Sequence, residues 1–221
     1  MKQALIIGAS GGIGRALVAE YRARGWQVTG LSRSEHGFDV TDAASVNTHL
    51  SALDGPFQRI IIATGALEIG AHGPEKALKQ ITPEGMAAQF ALNATGPALV
   101  LAHAARLLPR DEASVVAALS ARVGSIADNR AGGWHSYRAS KAALNQIVRG
   151  AAIELARSHK HAACVALHPG TVATKFTEKY LGRHPAVAPD HAARRLADVM
   201  DGLGPDQTGQ FYDYSGTSVP W

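Results

Sequence analysis

The chain has 221 residues, 46% hydrophobic and 18% charged, which supports one sizeable core and falls short of two full domains. Its net charge of +4 comes from Lys and Arg scattered without runs or interleaved aromatics, so a nucleic-acid footprint is not expected; such a surface mildly favours anionic small molecules. One cysteine, Cys164, excludes an intramolecular disulfide, and its place in "AACVAL" reads as buried core in a reducing compartment.

The opening "MKQALIIGAS" has an apolar run of only Ala4–Ile7, too short for a secretory segment. No stretch nears the length of a membrane span, so the reading is a soluble, cytoplasmic protein with no membrane partner. "QALIIGA" predicts a strand, "GIGRALVAEYRARG" a helix, "WQVTGLS" a strand and "DAASVNTHLSAL" a helix with Asp42 as N-cap. "RIIIATG" predicts a third strand, and helical spacing runs from about Pro83 to Leu108. "ASVVAALS" is a strand, "HSYRASKAALNQIVRGAAIELARS" a long helix, "AACVALHPG" a strand, "PDHAARRLADVM" a helix and "GQFYDY" a last strand. "GFDVT", Gly37–Thr41, reads as one more very short strand. Strands that are apolar throughout, alternating with helices, mark a parallel sheet covered on both faces. The expectation is one α/β domain over residues 1–221, a doubly wound Rossmann-like sheet.

The first strand ends in "IIGASGGIGRAL". Gly8, Gly12 and Gly14 mark a sharp turn into a helix whose free N–H groups and positive dipole end suit a phosphate. The spacing is neither G-x-G-x-x-G nor a P-loop, and a glycine cluster alone requires no more than a tight turn. The second strand ends in "LSRSE". An NAD-binding fold usually carries an acid here for the ribose 2′-OH; Ser32 and Arg33 stand in its place, and an arginine suits a 2′-phosphate. Arg15 is a second cation for that role.

Tyr137 and Lys141 lie one helical turn apart and leave from one face. A free phenol titrates near pH 10, a poor acid–base catalyst at neutrality. A nearby ammonium favours the phenolate; lowering the phenol by about three units asks for about 4 kcal/mol, of the order one close cation in a partly dry site supplies with help from the positive nicotinamide of an oxidised cofactor.

With the glycine turn and Tyr-x-x-x-Lys in one alternating chain, the sequence resembles the short-chain dehydrogenase/reductase family over almost its whole length. The "GGW-x-x-YRASKAAL" run and the "FYDYSG…PW" end resemble its small carbonyl-reductase and C-factor-like members. The resemblance implies an NADP(H) cofactor contacted by Gly8, Ser10, Gly12, Ile13 and Gly14 and by Arg33, with Asp39 and Val40 as the adenine-contacting pair. Ala63 and Gly65 of "ATGAL" stand where the family often has Asn-Asn-Ala-Gly. Pro169, Gly170, Val172 and Thr174 of "HPGTVAT" match the segment beside the nicotinamide. It also implies that Tyr137 is the general acid, that Lys141 bonds the nicotinamide ribose, and that Asn93 of "LNATGP" holds a water in a proton relay.

For the serine that steadies the substrate oxygen, the family often uses the second of two serines, three residues before a glycine. Here the stretch is "LSARVGS": Ala121 takes that place, leaving Ser120 at the strand end, which is favoured, and Ser125 as the alternative. Only Ser34–Phe38 separate Arg33 from Asp39, so the chain is trimmed where many members have a helix, and the short C-terminal part implies an open substrate pocket.

Trp134 reads equally as a pocket wall or a packing aromatic, and the ten histidines, His159 and His161 among them, lack zinc-site spacing. The expected function is reduction of a ketone or aldehyde, with a carbonyl or alcohol as the small-molecule substrate and a homodimer or homotetramer as the possible assembly. One rival is a non-enzymatic signalling or regulatory protein that keeps the cofactor site. A second, a nucleotide-sugar epimerase or dehydratase, expects a sizeable substrate domain after the Tyr-x-x-x-Lys helix, where only a short tail follows.

Overall fold

Every residue of β3 (Arg59–Ile62) and β4 (Ser114–Leu119) is buried, as are all but the last of β5 (Ala162–His168), which requires cover on both faces of the sheet. A computed structural model, describing residues 1–174, 177–180 and 186–221, supplies that cover. With β1 (Gln3–Ile7), β2 (Gln27–Leu31) and β6 (Phe211–Asp213), the strands form a six-stranded parallel sheet in the order β2-β1-β3-β4-β5-β6. The order reverses between β1 and β3, the switch point outside which ligands bind in folds of this type.

Strand alternation splits the core in two. Leu5, Ile7, Val116, Ala118, Cys164 and Ala166 face the layer that holds α3 (Ala43–Ser51) and α7 (His135–Ser158). Ala4, Ile6, Val115, Ala117, Val165 and Leu167 face α1 (Gly12–Ala23) and α8 (Pro189–Asp201). Asp42 caps α3 as expected, its carboxylate accepting from Ala44 N at 2.9 Å. Cys164 is buried, and burial pushes its thiol up to about 12, so it is no nucleophile.

Two expectations change. Gly37–Thr41 is not a strand. A short helix, α2 (Arg33–His36), ends on Gly37 in the left-handed region at φ +68°, and Asp39 then bonds Thr41 N at 2.9 Å and Thr41 Oγ1 at 2.7 Å. Phe38 and Val40 alternate into the core as a strand would, but these turns occupy the backbone and side chains a ladder would use. The helical stretch from Pro83 is not continuous either. It comprises α4 (Pro83–Phe90), a π turn (Ala91–Thr95), α5 (Gly96–Leu101) and, after a break, α6 (Ala104–Leu107). The π turn contains Asn93, and such turns gather at functional sites.

Candidate active site

The glycine-turn end of the site is built from β1, α1 and the end of β2. Gly8 turns at φ +87°, where an L side chain is strained, and a Cβ on Gly14 would collide with the Gly8 carbonyl oxygen. The turn is therefore as tight as its spelling implies. Gly11 caps α1 without a side-chain bond, and the first turn of the helix carries no acid. Nothing on α1 itself neutralises the positive end of that helix, which suits a phosphate.

Around this end Ser34 Oγ donates to Ser10 Oγ at 3.0 Å, Arg15 lies 3.5 Å from Glu35, and Arg33 lies 4.0 Å from Asp39. The two arginine side chains are 72% and 81% exposed, so both forks are free to turn toward a ligand. The Thr41 hydroxyl and amide hold the Asp39 carboxyl below its ordinary range. Val40 is buried with its carbonyl facing Gly96, and Ile13 packs on the core beside β1.

The α7 end of the site is buried. Tyr137 and Lys141 are 6% and 3% exposed in the first turns of α7. Lys141 Nζ donates to Leu119 O at 2.9 Å and lies 5.9 Å from the centre of the Tyr137 ring. Burial pulls Lys141 down to about 8 and pushes the Tyr137 phenol up. In so dry a place desolvation dominates both groups.

Gly65 closes this end from the β3 side. A Cβ there would come 2.8 Å from Asn93 Oδ1 and 3.2 Å from Lys141 Nζ, so Gly65, Asn93 and Lys141 meet. Ala63 lies just before, its amide bonded to Ile7 O at 2.8 Å and its carbonyl beneath Gly8. The Asn93 side chain is fully engaged: Oδ1 accepts from Ala66 N at 3.0 Å, and Nδ2 donates to Ala66 O at 2.9 Å and to Gln89 Oε1 at 2.5 Å. Gln89 in turn donates to Leu67 O at 2.9 Å. Asn93 therefore pins the loop after β3.

Ser120 lies at the end of β4, next to the Leu119 carbonyl that receives Lys141. Its hydroxyl donates to Asn145 Oδ1 at 2.6 Å, and Asn145 lies eight residues along α7 from Tyr137, about 12 Å of helix. Ser125 is buried and accepts from Asp128 N at 3.1 Å; Gly124 before it packs on Lys141.

After β5, Pro169 leads into Gly170 at φ +77°, against which the Tyr214 ring lies closely enough to exclude a Cβ. Val172 is buried and bridges to Val187, and the Thr174 side chain would stand 2.5 Å from a Cβ on Gly12. The nicotinamide-side segment thus meets the glycine turn. Trp134 is half-buried, its ring edge-on to Tyr137 at 6.4 Å between centres.

Sequence reasoning missed Gln89, Asn145 and Glu75. Asn145 continues the i, i+4 stripe of Tyr137 and Lys141, so helical spacing offered a signal. Gln89 stands one turn before Asn93 and offered the same. Glu75 is separated from its partner Ser136 by 61 residues and offered none. Among the described residues no three His, Cys, Asp or Glu group to hold a metal, and no helix is long and apolar enough to cross a membrane.

A family model described as enoyl-(acyl carrier protein) reductase matches residues 8–201. A 1-hydroxy-2-glutathionyl-2-methyl-3-butene dehydrogenase of Rhodococcus sp. is 30% identical over the whole of both chains. The C-signal protein of Myxococcus xanthus is 37% identical over 72% of this chain and 96% of its own. Among solved structures, a Burkholderia multivorans chain with bound NADP, classed with the short-chain dehydrogenases/reductases, superposes with a TM-score of 0.84 at 27% identity, covering 100% of this chain and 99% of its own. A carbonyl reductase of Pseudomonas aeruginosa gives 0.79 at 26% identity, over 100% of both chains. With the switch-point glycine turn and the buried Tyr-Lys pair on the page, these matches settle one point: the chain belongs to the short-chain dehydrogenase/reductase family, whose members are oxidoreductases.

Proposed function

We propose that the protein is an NADPH-dependent reductase of a ketone or aldehyde. The observation that carries the reading is the buried pair Tyr137 and Lys141 on one helix face, with Lys141 beside Gly65 and Asn93 at the same end of the sheet as the tight glycine turn before α1. The bound NADP of the Burkholderia relative supports the cofactor, and the dehydrogenase and carbonyl reductase relatives support the reaction.

The residues fit the cofactor. The start of α1, with Gly8, Gly12, Gly14, Ser10 and Ile13, would receive its diphosphate, Arg33 and Arg15 its 2′-phosphate, and Asp39 its adenosine end. Ala63, Gly65, Pro169, Gly170, Val172 and Thr174 would line its path to the nicotinamide. When bound, NADPH supplies the hydride. Tyr137 presents its hydroxyl proton to the carbonyl oxygen, and the burial that raises its pKa keeps that proton on the phenol at neutrality. Lys141, released from Leu119 O, bonds the nicotinamide ribose and adds positive charge beside the phenol. Asn93 holds the loop after β3 in place. Ser120 is the assigned second donor to the substrate oxygen and must leave Asn145 to act.

The likeness to the C-signal protein favours a second reading, a signalling protein that retains the cofactor site without turnover. An NADPH-consumption screen over aldehydes and ketones, with Tyr137→Phe as blank, separates the two. Substrate-dependent consumption abolished in the blank supports the reductase. Cofactor binding with no carbonyl consumed above the blank favours signalling.

A further inference from the structure

α7 begins under unusual constraints. Its N-cap position is Trp134, a non-glycine residue in the left-handed region at φ +51°, with no side-chain capping bond. The first turn contains no acid, although this helix has 24 residues and presents its positive end at Tyr137. The first amides of any helix lack intrahelical acceptors and need partners from elsewhere.

Those partners come from a loop 61 residues upstream. Glu75 is 8% exposed. Its backbone oxygen accepts from Trp134 N at 2.5 Å, its Oε2 from Ser136 N at 3.2 Å, and its Oε1 from the Ser136 hydroxyl. Burial pushes the Glu75 carboxyl up, but the bonds from Ser136, with its own backbone amide and the nearby His135, outweigh it and hold the group below the ordinary carboxylate range, so it is charged at neutrality. The same loop begins at Gly65 beside Lys141 and is pinned by Asn93 through Ala66.

We infer that Glu75 is a positioning residue for Tyr137: it serves as the missing cap of α7, fixing the first turn so that the phenol is held in the cleft. The carboxylate clamps the residue immediately before the tyrosine by two bonds and balances the helix dipole. A shift of the first turn moves the phenol, and a misplacement of about 1 Å can lower turnover about a hundredfold.

The inference rests on the reductase reading, and its test has one arm that does not. Hydrogen exchange of the cofactor-free protein reports the first turn of α7 directly, and steady-state kinetics report Tyr137. In Glu75→Ala, amides 135–138 should exchange about tenfold faster or more while the central strands keep their protection. In the same variant kcat should fall about tenfold to a hundredfold, with NADPH affinity within about threefold of the parent. Glu75→Gln keeps one acceptor of similar shape and should recover part of both losses. Unchanged exchange at 135–138 overturns the inference whether or not the wild type turns over. So does normal kcat in Glu75→Ala, or a kcat that falls only in proportion to the folded fraction measured by denaturant titration. A wild type inert toward every carbonyl, with exchange responding as expected, rejects the reductase reading and leaves the capping role standing.

Discussion

The glycine-turn end and the α7 end of the site solve opposite problems. At the glycine-turn end the charges are on the surface: Arg15 and Arg33 are 72% and 81% exposed and face carboxylates no closer than 3.5 Å. At the α7 end Tyr137 and Lys141 are 6% and 3% exposed, and Lys141 depends on a single carbonyl at 2.9 Å. Exposed charge is cheap to keep and is screened by salt, so it suits recognition of a phosphate that arrives from water. Buried charge destabilises the fold, but its effects reach a neighbour at nearly full strength, so it suits a proton that must move at one atom. Substitutions at the two ends should therefore differ in kind. The α7 end should lose turnover and keep affinity, and the glycine-turn end the reverse.

The largest effect is expected at Tyr137. Tyr137→Phe removes the proton and little else, and should lower turnover about a thousandfold or more with NADPH affinity within about threefold. A residual rate within about tenfold of the parent, measured under saturating cofactor, would take the acid role away from Tyr137.

Next comes Ser120. Loss of one preorganised donor should cost roughly a hundredfold in turnover in Ser120→Ala, with Ser125→Ala near normal. The Asn145 bond makes the contest sharp. If Ser120 only anchors α7, Ser120→Ala keeps its turnover and loses about 1–2 kcal/mol of stability by denaturant titration. A crippled Ser125→Ala beside it would then move the donor to Ser125.

At the glycine-turn end Arg33→Asp should erode or reverse the preference for NADPH over NADH. Removing a charge-assisted bond and adding repulsion to a partly screened site implies a change of about tenfold to a hundredfold in the ratio of dissociation constants. Fluorescence titration with both cofactors measures it. Equal binding of both by the unmodified protein would show that Arg33 does not meet a 2′-phosphate.

The smallest effect is on stability. Lys141 titrates at about 8 when folded, against 10.5 for the free side chain, so between these values the unfolded chain binds more protons. Its contribution to stability therefore rises with pH across that window, and at neutrality the buried ammonium is destabilising. Lys141→Met should be more stable than the parent by about 1–3 kcal/mol near pH 7, with the gap closing toward pH 10.5. The difference between the two proteins is the informative quantity, because the raised Cys164 thiol lowers stability with rising pH over part of the same range in both. A variant less stable than the parent at neutrality would mean that the Leu119 bond outweighs desolvation.

What the sequence alone determined is whatever repeats along the chain at a local period. Short strand-forming runs located all six strands, and the spacing of Tyr137 and Lys141 put them on one helix face, because strand and helix geometry are set by neighbours within a turn. Asp42 was legible as a cap for the same reason. Phe38 and Val40 show the limit: their alternation is real and both are buried, yet the turns around Gly37 and Asp39 decided the backbone. Only tertiary structure decided the rest. Glu75 meets Ser136 across 61 residues, Ser120 turns to Asn145, and Asn93 engages Ala66 and Gln89. Burial pushes the phenol of Tyr137 up. The physical reason is common to all four. Desolvation and hydrogen-bond geometry depend on what packs around a group from other elements, and no period along the chain encodes that distance.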